Sequence, residues 1–549
     1  MSSVLITGAR VIDGTGNPWI HADVVLDGER IADIAPPGAV DRSSVHTVVD
    51  ADGMICCPGF IDIQSHSIVP FLTDRRSVSK VTQGVTTEIL GEGWTPAPFG
   101  GEIDAPFTIS LVHRLEENYD YWDKLGRTWT RFGQWLADLQ DRGVSVNIGS
   151  FLGGGSLRKY GMGERMGEPN EHELDLMRKA TRESMEDGAF GIATALIYPP
   201  GAYAGTDELV EVMKVVAGHN GVHITHIRSE GDEIYEGLDE AIDIAERSGV
   251  ATEIYHLKAA GRENWPRMAT VIERITEARN RGLDIGADMY PYDGSGTGLA
   301  ACLPPWASAD GKRYQNLRNP EMRTKILEEM RNPNGHWENL GARSGPDHVL
   351  LAEFGKPEHK KFQGRFLDDV AAELGLDWHE AIVHLLDSEG QDIFTMYLMI
   401  SEDNLKRQFQ QEWIKFGTDA GGVDPAWAVE KGLVHPRAYG TYPRILGHYV
   451  REKGYMSWED AIRKASSAVA DRLGLRDRGL LRAGMCADVV VFDPETVIDR
   501  ATYTDPHHLS VGIRDVFVNG TAVLRDGEHT GELPGKRVNG PGYRHDVGG

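Results

Sequence analysis

The sequence predicts an α/β protein: a (β/α)8, TIM-like barrel with a small β-sandwich formed from both chain termini. Three observations lead there. The middle of the chain alternates short apolar runs with longer helical patterns, which is how parallel βα units read in sequence. Both ends instead carry short strand runs punctuated by turns. The 549 residues also exceed what one simple domain holds, so a large domain with a smaller companion is expected.

The N-terminal strands are carried by Val4-Leu5-Ile6, Val24-Val25-Leu26 and Ile31-Ala32-Asp33-Ile34, separated by Asp13-Gly14, Asp27-Gly28 and Pro36-Pro37-Gly38. The far end repeats the texture in Val489-Val490-Val491-Phe492 and Val516-Phe517-Val518, with Asn519-Gly520 as a break. The expected sandwich therefore takes residues 1–57 and 478–549, and the barrel 58–477. Expected barrel strands are 59–63, 85–90, 144–151, 191–196, 222–226, 251–256, 283–288 and 414–419, with helices such as 208–217 and 237–248 between them. The stretch 294–411 is too long for one βα connection and is expected to hold an inserted subdomain.

Lys and Arg total 57 against 83 Asp and Glu, a net charge of −26. That balance argues against a nucleic acid or an anionic membrane as partner, because both need a basic face. Only four cysteines occur, none in a CxxC pair, so neither a disulfide framework nor a zinc knuckle is indicated. The opening Met1–Gly8 run has no basic segment followed by a long apolar one, and no stretch reaches the ~18 apolar residues of a membrane span. A cytoplasmic location is expected.

Functional side chains of a barrel gather at the C-terminal ends of its strands. The first expected strand ends in Asp62-Ile63-Gln64-Ser65-His66, the second in Gly91-Glu92-Gly93, the fifth and sixth in His226 and His256, and the eighth in Gly417-Thr418-Asp419. Three histidines and two carboxylates suit Zn²⁺ or a similar borderline metal. Singly, each also suits a structural role: a hydrogen-bonded histidine, or an aspartate capping a helix.

Longer motifs sharpen this. Pro58-Gly59-Phe60-Ile61-Asp62-Ile63-Gln64-Ser65-His66 resembles the opening strand of the amidohydrolase superfamily, usually PGxIDxHxH, and Gln83-Gly84-Val85-Thr86-Thr87 fits behind it. Ile197–Tyr203, Thr225–Asp232, His256-Leu257-Lys258, Asp288–Tyr292, His435-Pro436-Arg437, Gly440–Arg444 and Thr530–Gly535 resemble the N-acyl-D-amino-acid deacylase (D-aminoacylase) family over nearly the whole chain. The resemblance implies a metal-dependent hydrolase of the amide bond in a small N-acyl amino acid. It implies Glu92, His226 and His256 as metal ligands, with His66 as a further ligand or a polariser of the tetrahedral intermediate. It implies Asp419 as general base, and Lys258, Tyr198, Tyr292 and Arg437 around the substrate's carboxylate and amide. A cyclic amidase and a non-catalytic binding protein are the competing readings, and a homo-oligomer stays open.

Three departures stand out. Gln64 replaces the first histidine of the HxH pair, Glu92 stands where the family has a cysteine ligand, and Gly154 where some members carry a histidine. A carboxylate replaces a thiolate well, whereas an amide oxygen is a weak ligand for zinc. One tightly held Zn²⁺ is expected, with the second position, near His66, weak or empty.

Overall fold

The computed structural model describes residues 3–107, 118–333 and 337–544. Five strands open the chain: β1 (Ser3–Val11), β2 (Ile20–Asp27), β3 (Arg30–Ala35), β4 (Thr47–Asp50) and β5 (Ile55–Pro58). The next run is parallel: β6 (Phe60–Asp62), β7 (Val85–Leu90), β8 (Asn147–Ser150), β9 (Leu152–Gly153), β10 (Gly191–Ala195), β11 (Val222–His226), β12 (Ala251–Ile254) and β13 (Ile285–Met289). β8 and β9 form one strand interrupted at Phe151, whose N–H donates to the Leu90 carbonyl at 2.9 Å.

An insertion follows, in which β14 (Ser295–Gly298), β15 (Val349–Glu353), β16 (Arg365–Phe366) and β17 (Phe394–Tyr397) make their own sheet in the order β14-β17-β15-β16. The chain then returns to the barrel through β18 (Ile414–Phe416), which lies parallel to β13. The ladder runs β6-β7-β8 and β9-β10-β11-β12-β13-β18. A parallel bridge between Ser65 and Ala420 brings the end of the first strand against the end of the last. The molecule is a TIM-like barrel carrying a β-sandwich.

The strands are shorter at functional positions than the sequence predicts, for local reasons. β12 stops at Ile254 because His256 takes φ +34°, and β18 stops at Phe416 before Asp419 at φ +50°. Left-handed backbone cannot continue a ladder. β8 begins only at Asn147, since Val144 pairs instead with Pro534 from the far end of the chain. Helix Thr206–Ala217 starts two residues before the expected 208, with Asp207 and Glu208 in its first turn, where the helix dipole favours acids.

Four strands, β19 (Val489–Phe492), β20 (Ile513–Val518), β21 (Thr521–Arg525) and β22 (Glu528–His529), complete the terminal sheet in the order β22-β21-β20-β19-β5-β1-β2-β3. β19 lies antiparallel to β5, with Val489 opposite Pro58. Its side chains alternate as a strand requires. Val489 and Val491 pack with Val4, Ile6, Val24 and Phe517, while Val490 and Phe492 join the core shared with the barrel. A continuous Val-Val-Val-Phe run is thus what a strand buried on both faces looks like.

Candidate metal centre and active site

Each residue of the constellation stands at or just past a strand end, and the local sequence turns it inward. Gly91, at φ +108°, lets the chain leave β7 with its Cα against the neighbouring strand. A Cβ there would stand 2.3 Å from the Phe151 carbonyl oxygen. Glu92 thereby reaches the barrel mouth. His226 is the last residue of β11. His256 is held in its turn by Asp288, whose Oδ1 accepts the His256 N–H at 2.7 Å. A Cβ at Gly154 would meet Thr194 Cγ2 at 2.8 Å, so a side chain there would have to displace its neighbour.

Two clusters share Glu92. In the first, Glu92 Oε1 lies 3.7 Å from His226 Nδ1 and 3.5 Å from His256 Nε2. Tetrahedral ligands at 2.0–2.1 Å from zinc are ~3.3 Å apart, so this spacing is close to that of three ligands around one ion. His226 Nε2, though buried, has no hydrogen-bond partner. In the second, Glu92 Oε2 is 3.3 Å and Asp419 Oδ1 2.8 Å from His66 Nε2. Gln64 enters here through its amide nitrogen, which donates to Glu92 Oε2 at 2.6 Å. It therefore presents a donor, not a ligand, to the second cluster, and its Oε1 is left without a partner.

The electrostatics favour a cation. Desolvation opposes charge on His66, but hydrogen bonds and charge from Asp419 and Glu92 push it up to about 9. Burial and Lys258 likewise oppose charge on His256, and Glu230 and Asp419 outweigh them, raising it to about 10. His226 goes the other way, depressed chiefly by burial. Burial would raise Glu92 and Asp419, yet both stay below the usual carboxylate range, Glu92 through its three histidines and Asp419 chiefly through Arg437.

Glu230, which the sequence marks only as part of the Thr225–Asp232 motif, also reaches the site. It lies 3.4 Å from His226 Nε2 and 3.1 Å from His256 Nδ1, and it pairs with Lys258 at 2.7 Å. The signal for it was its i+4 spacing from His226.

The expected substrate residues divide. Tyr198 and Arg437 line pockets that open onto the site. One, of about 420 Å³, has His66, Glu92, Asp419 and Arg437 on its floor and Ile68, Val69, Phe394 and Trp427 among its walls. The other, of about 320 Å³, shares His66, Glu92 and Trp94 and adds Tyr198 and Lys159. Arg437 Nη1 is 2.7 Å from Asp419 Oδ2. The other two line neither of these pockets. Lys258 is buried behind His256, with its Nζ 2.7 Å from His256 Nδ1 and 2.7 Å from Glu230 Oε1. The Tyr292 hydroxyl turns away and donates to Asp499 Oδ2 at 3.3 Å, while Arg444 stacks on its ring.

Residues 413–524 match the model of an amidohydrolase family. The chain is 32% identical over 539 residues to a D-aminoacylase of Alcaligenes xylosoxydans xylosoxydans, covering 97% of this chain and 96% of that one. It is 31% identical to the N-acyl-D-glutamate deacylase of the same organism, covering 95% and 93%. Among solved structures, N-acyl-D-glutamate deacylase from Bordetella bronchiseptica, complexed with zinc and a phosphonate mimic of the tetrahedral intermediate, superposes with a TM-score of 0.80 at 30% identity, covering 98% and 99%. A D-aminoacylase described by the role of its binuclear metal centre, with one-metal activation and second-metal attenuation, superposes equally well, at 0.80 and 30%, with the same coverage. The chain belongs to the D-aminoacylase (N-acyl-D-amino-acid deacylase) family of amidohydrolases.

Proposed function

We propose that this protein hydrolyses the amide bond of N-acyl-D-amino acids, releasing a carboxylate and a free amino acid. The observation that carries the reading is the convergence of Glu92, His226 and His256 at ligand spacing, beside an ionised Asp419. Those three residues would hold one Zn²⁺, and Glu230 and Lys258 flank His256 from behind. The ion supplies positive charge that polarises the scissile carbonyl and acidifies the attacking water.

The chain's own residues do the rest. Asp419 has Arg437 on Oδ2 and His66 on Oδ1, which keep it ionised and able to accept the proton of the attacking water. It then delivers that proton to the leaving nitrogen. His66, with its side chain 42% exposed at the pocket floor, faces the place where the oxyanion forms. Tyr198 and Arg437 orient the substrate's carboxylate and amide, Arg437 being able to grip a carboxylate through two parallel hydrogen bonds.

The four cysteines are all unpaired and buried, and among the described residues no helix is long and apolar enough to cross a membrane. Both fit a cytoplasmic enzyme acting on a small molecule. The test is a panel of N-acyl-D- and N-acyl-L-amino acids with the zinc-loaded protein, following release of free amine. Hydrolysis of the D series is expected. No turnover of any member, or turnover of cyclic ureides alone, would overturn the reading.

A further inference from the structure

Lys80 lies at zero exposure beneath the site, and the chemistry above makes no use of it. Its Nζ donates to Asp62 Oδ2 at 2.6 Å, to the Ala420 carbonyl at 2.7 Å and to the Thr418 hydroxyl oxygen. Asp62 answers with both oxygens. Oδ1 accepts the Thr418 N–H at 2.9 Å and the Gln64 N–H at 3.2 Å, and Oδ2 accepts the Thr418 hydroxyl at 2.6 Å. Between the two gripped residues, Thr418 and Ala420, stands Asp419, whose own N–H donates to the Gln64 carbonyl at 2.8 Å.

We propose that Lys80, Asp62 and Thr418 are positioning residues that hold Asp419 in the one backbone conformation from which its carboxylate serves the reaction. Asp419 sits at φ +50°, a region that non-glycine residues occupy only where their surroundings over-determine them. The surroundings here are the buried triad, which fixes the residues on both sides of Asp419 and ties them to the first strand through Asp62. Filling this space with an apolar side chain would avoid the desolvation of a charge, but it could not bind the Thr418 and Ala420 oxygens. The cluster touches neither pocket, so it acts through Asp419. This inference rests on Asp419 being the proton carrier.

The test compares Thr418→Val, Thr418→Ser and Lys80→Met, each alone and in an Asp419→Asn background, with zinc content measured throughout. Misplacing a catalytic group by ~1 Å costs about 100-fold, so Thr418→Val is expected to lower kcat about 10- to 100-fold with KM changed less than about threefold. Thr418→Ser, which keeps the hydroxyl, recovers most of the rate. In the Asp419→Asn background Thr418→Val costs nothing further, because the residue it positions no longer carries a proton. Lys80→Met strands a buried carboxylate and tests folding as well as rate; Thr418→Val changes no charge and carries the test if Lys80→Met does not fold. Wild-type kcat in Thr418→Val would overturn the proposal, as would an equal loss in the Asp419→Asn background. Full activity of Asp419→Asn would instead overturn the proton-carrier reading itself.

Discussion

At the scale of single residues, Asp419 and Gln64 separate two questions, which group moves the proton and how many ions the site holds. Asp419→Asn keeps shape and removes the proton acceptor, so kcat should fall by about 10²–10⁴ while zinc content stays near wild type. Loss of the metal with the activity would make Asp419 a ligand. His226→Ala removes one of the two histidines closing on Glu92 Oε1 and should lose zinc and activity together. Gln64→Ala should leave the ion in place, because Gln64 offers Glu92 only its amide nitrogen. Elemental analysis after dialysis should return about one equivalent of zinc per chain. Gln64→His, by exchanging that donor for an imidazole, should raise the affinity for a second equivalent, read by zinc titration.

The gathering of Glu92, His226, His256, His66 and Asp419 at one mouth was legible at this scale, because strand-end residues are placed by the fold. Side-chain direction was not legible. Tyr292 and Lys258 stand in the right motifs, yet one turns to Asp499 and the other to Glu230. Lys80 carries no signal at all in the sequence, since a lysine reads as surface until its partners are seen.

At the scale of elements, a second buried charge cluster joins the strands for another reason. Glu253 on β12 is fully buried and binds Lys415 of β18 at 2.7 Å and Arg472 at 2.8 Å. Glu253→Gln would leave both cations facing a neutral group, at a cost of about 3–5 kcal/mol in stability. Because none of the three residues lines either pocket at the site, kcat per folded molecule should be unchanged. A lowered denaturation midpoint with normal turnover checks both halves of that statement. The strands themselves were readable from apolar runs, whereas their ends were not. β12 and β18 stop where His256 and Asp419 take left-handed backbone, and no periodicity encodes that.

At the scale of the whole molecule, the two chain ends depend on each other. β19 lies between β5 and β20, and the C-terminal stretch continues onto the barrel, where Asn519 Nδ2 donates to Asn147 Oδ1 at 2.8 Å. A chain truncated before Arg482 loses β19 to β22 and exposes the edge of β5, so it should not unfold cooperatively, as circular dichroism during a thermal melt would show. The pairing of β5 with β19 joins segments about 430 residues apart. At ~5–20 residues per second, a ribosome needs ~20–90 s to make the intervening chain. Throughout that interval the first strands wait with an unsatisfied edge, open to any other strand that arrives. Fast synthesis of this chain is therefore expected to leave more half-sheets in search of a partner. Yield should depend on slow synthesis and on chaperones that shield the nascent N-terminus, far more than on the stability of the finished enzyme.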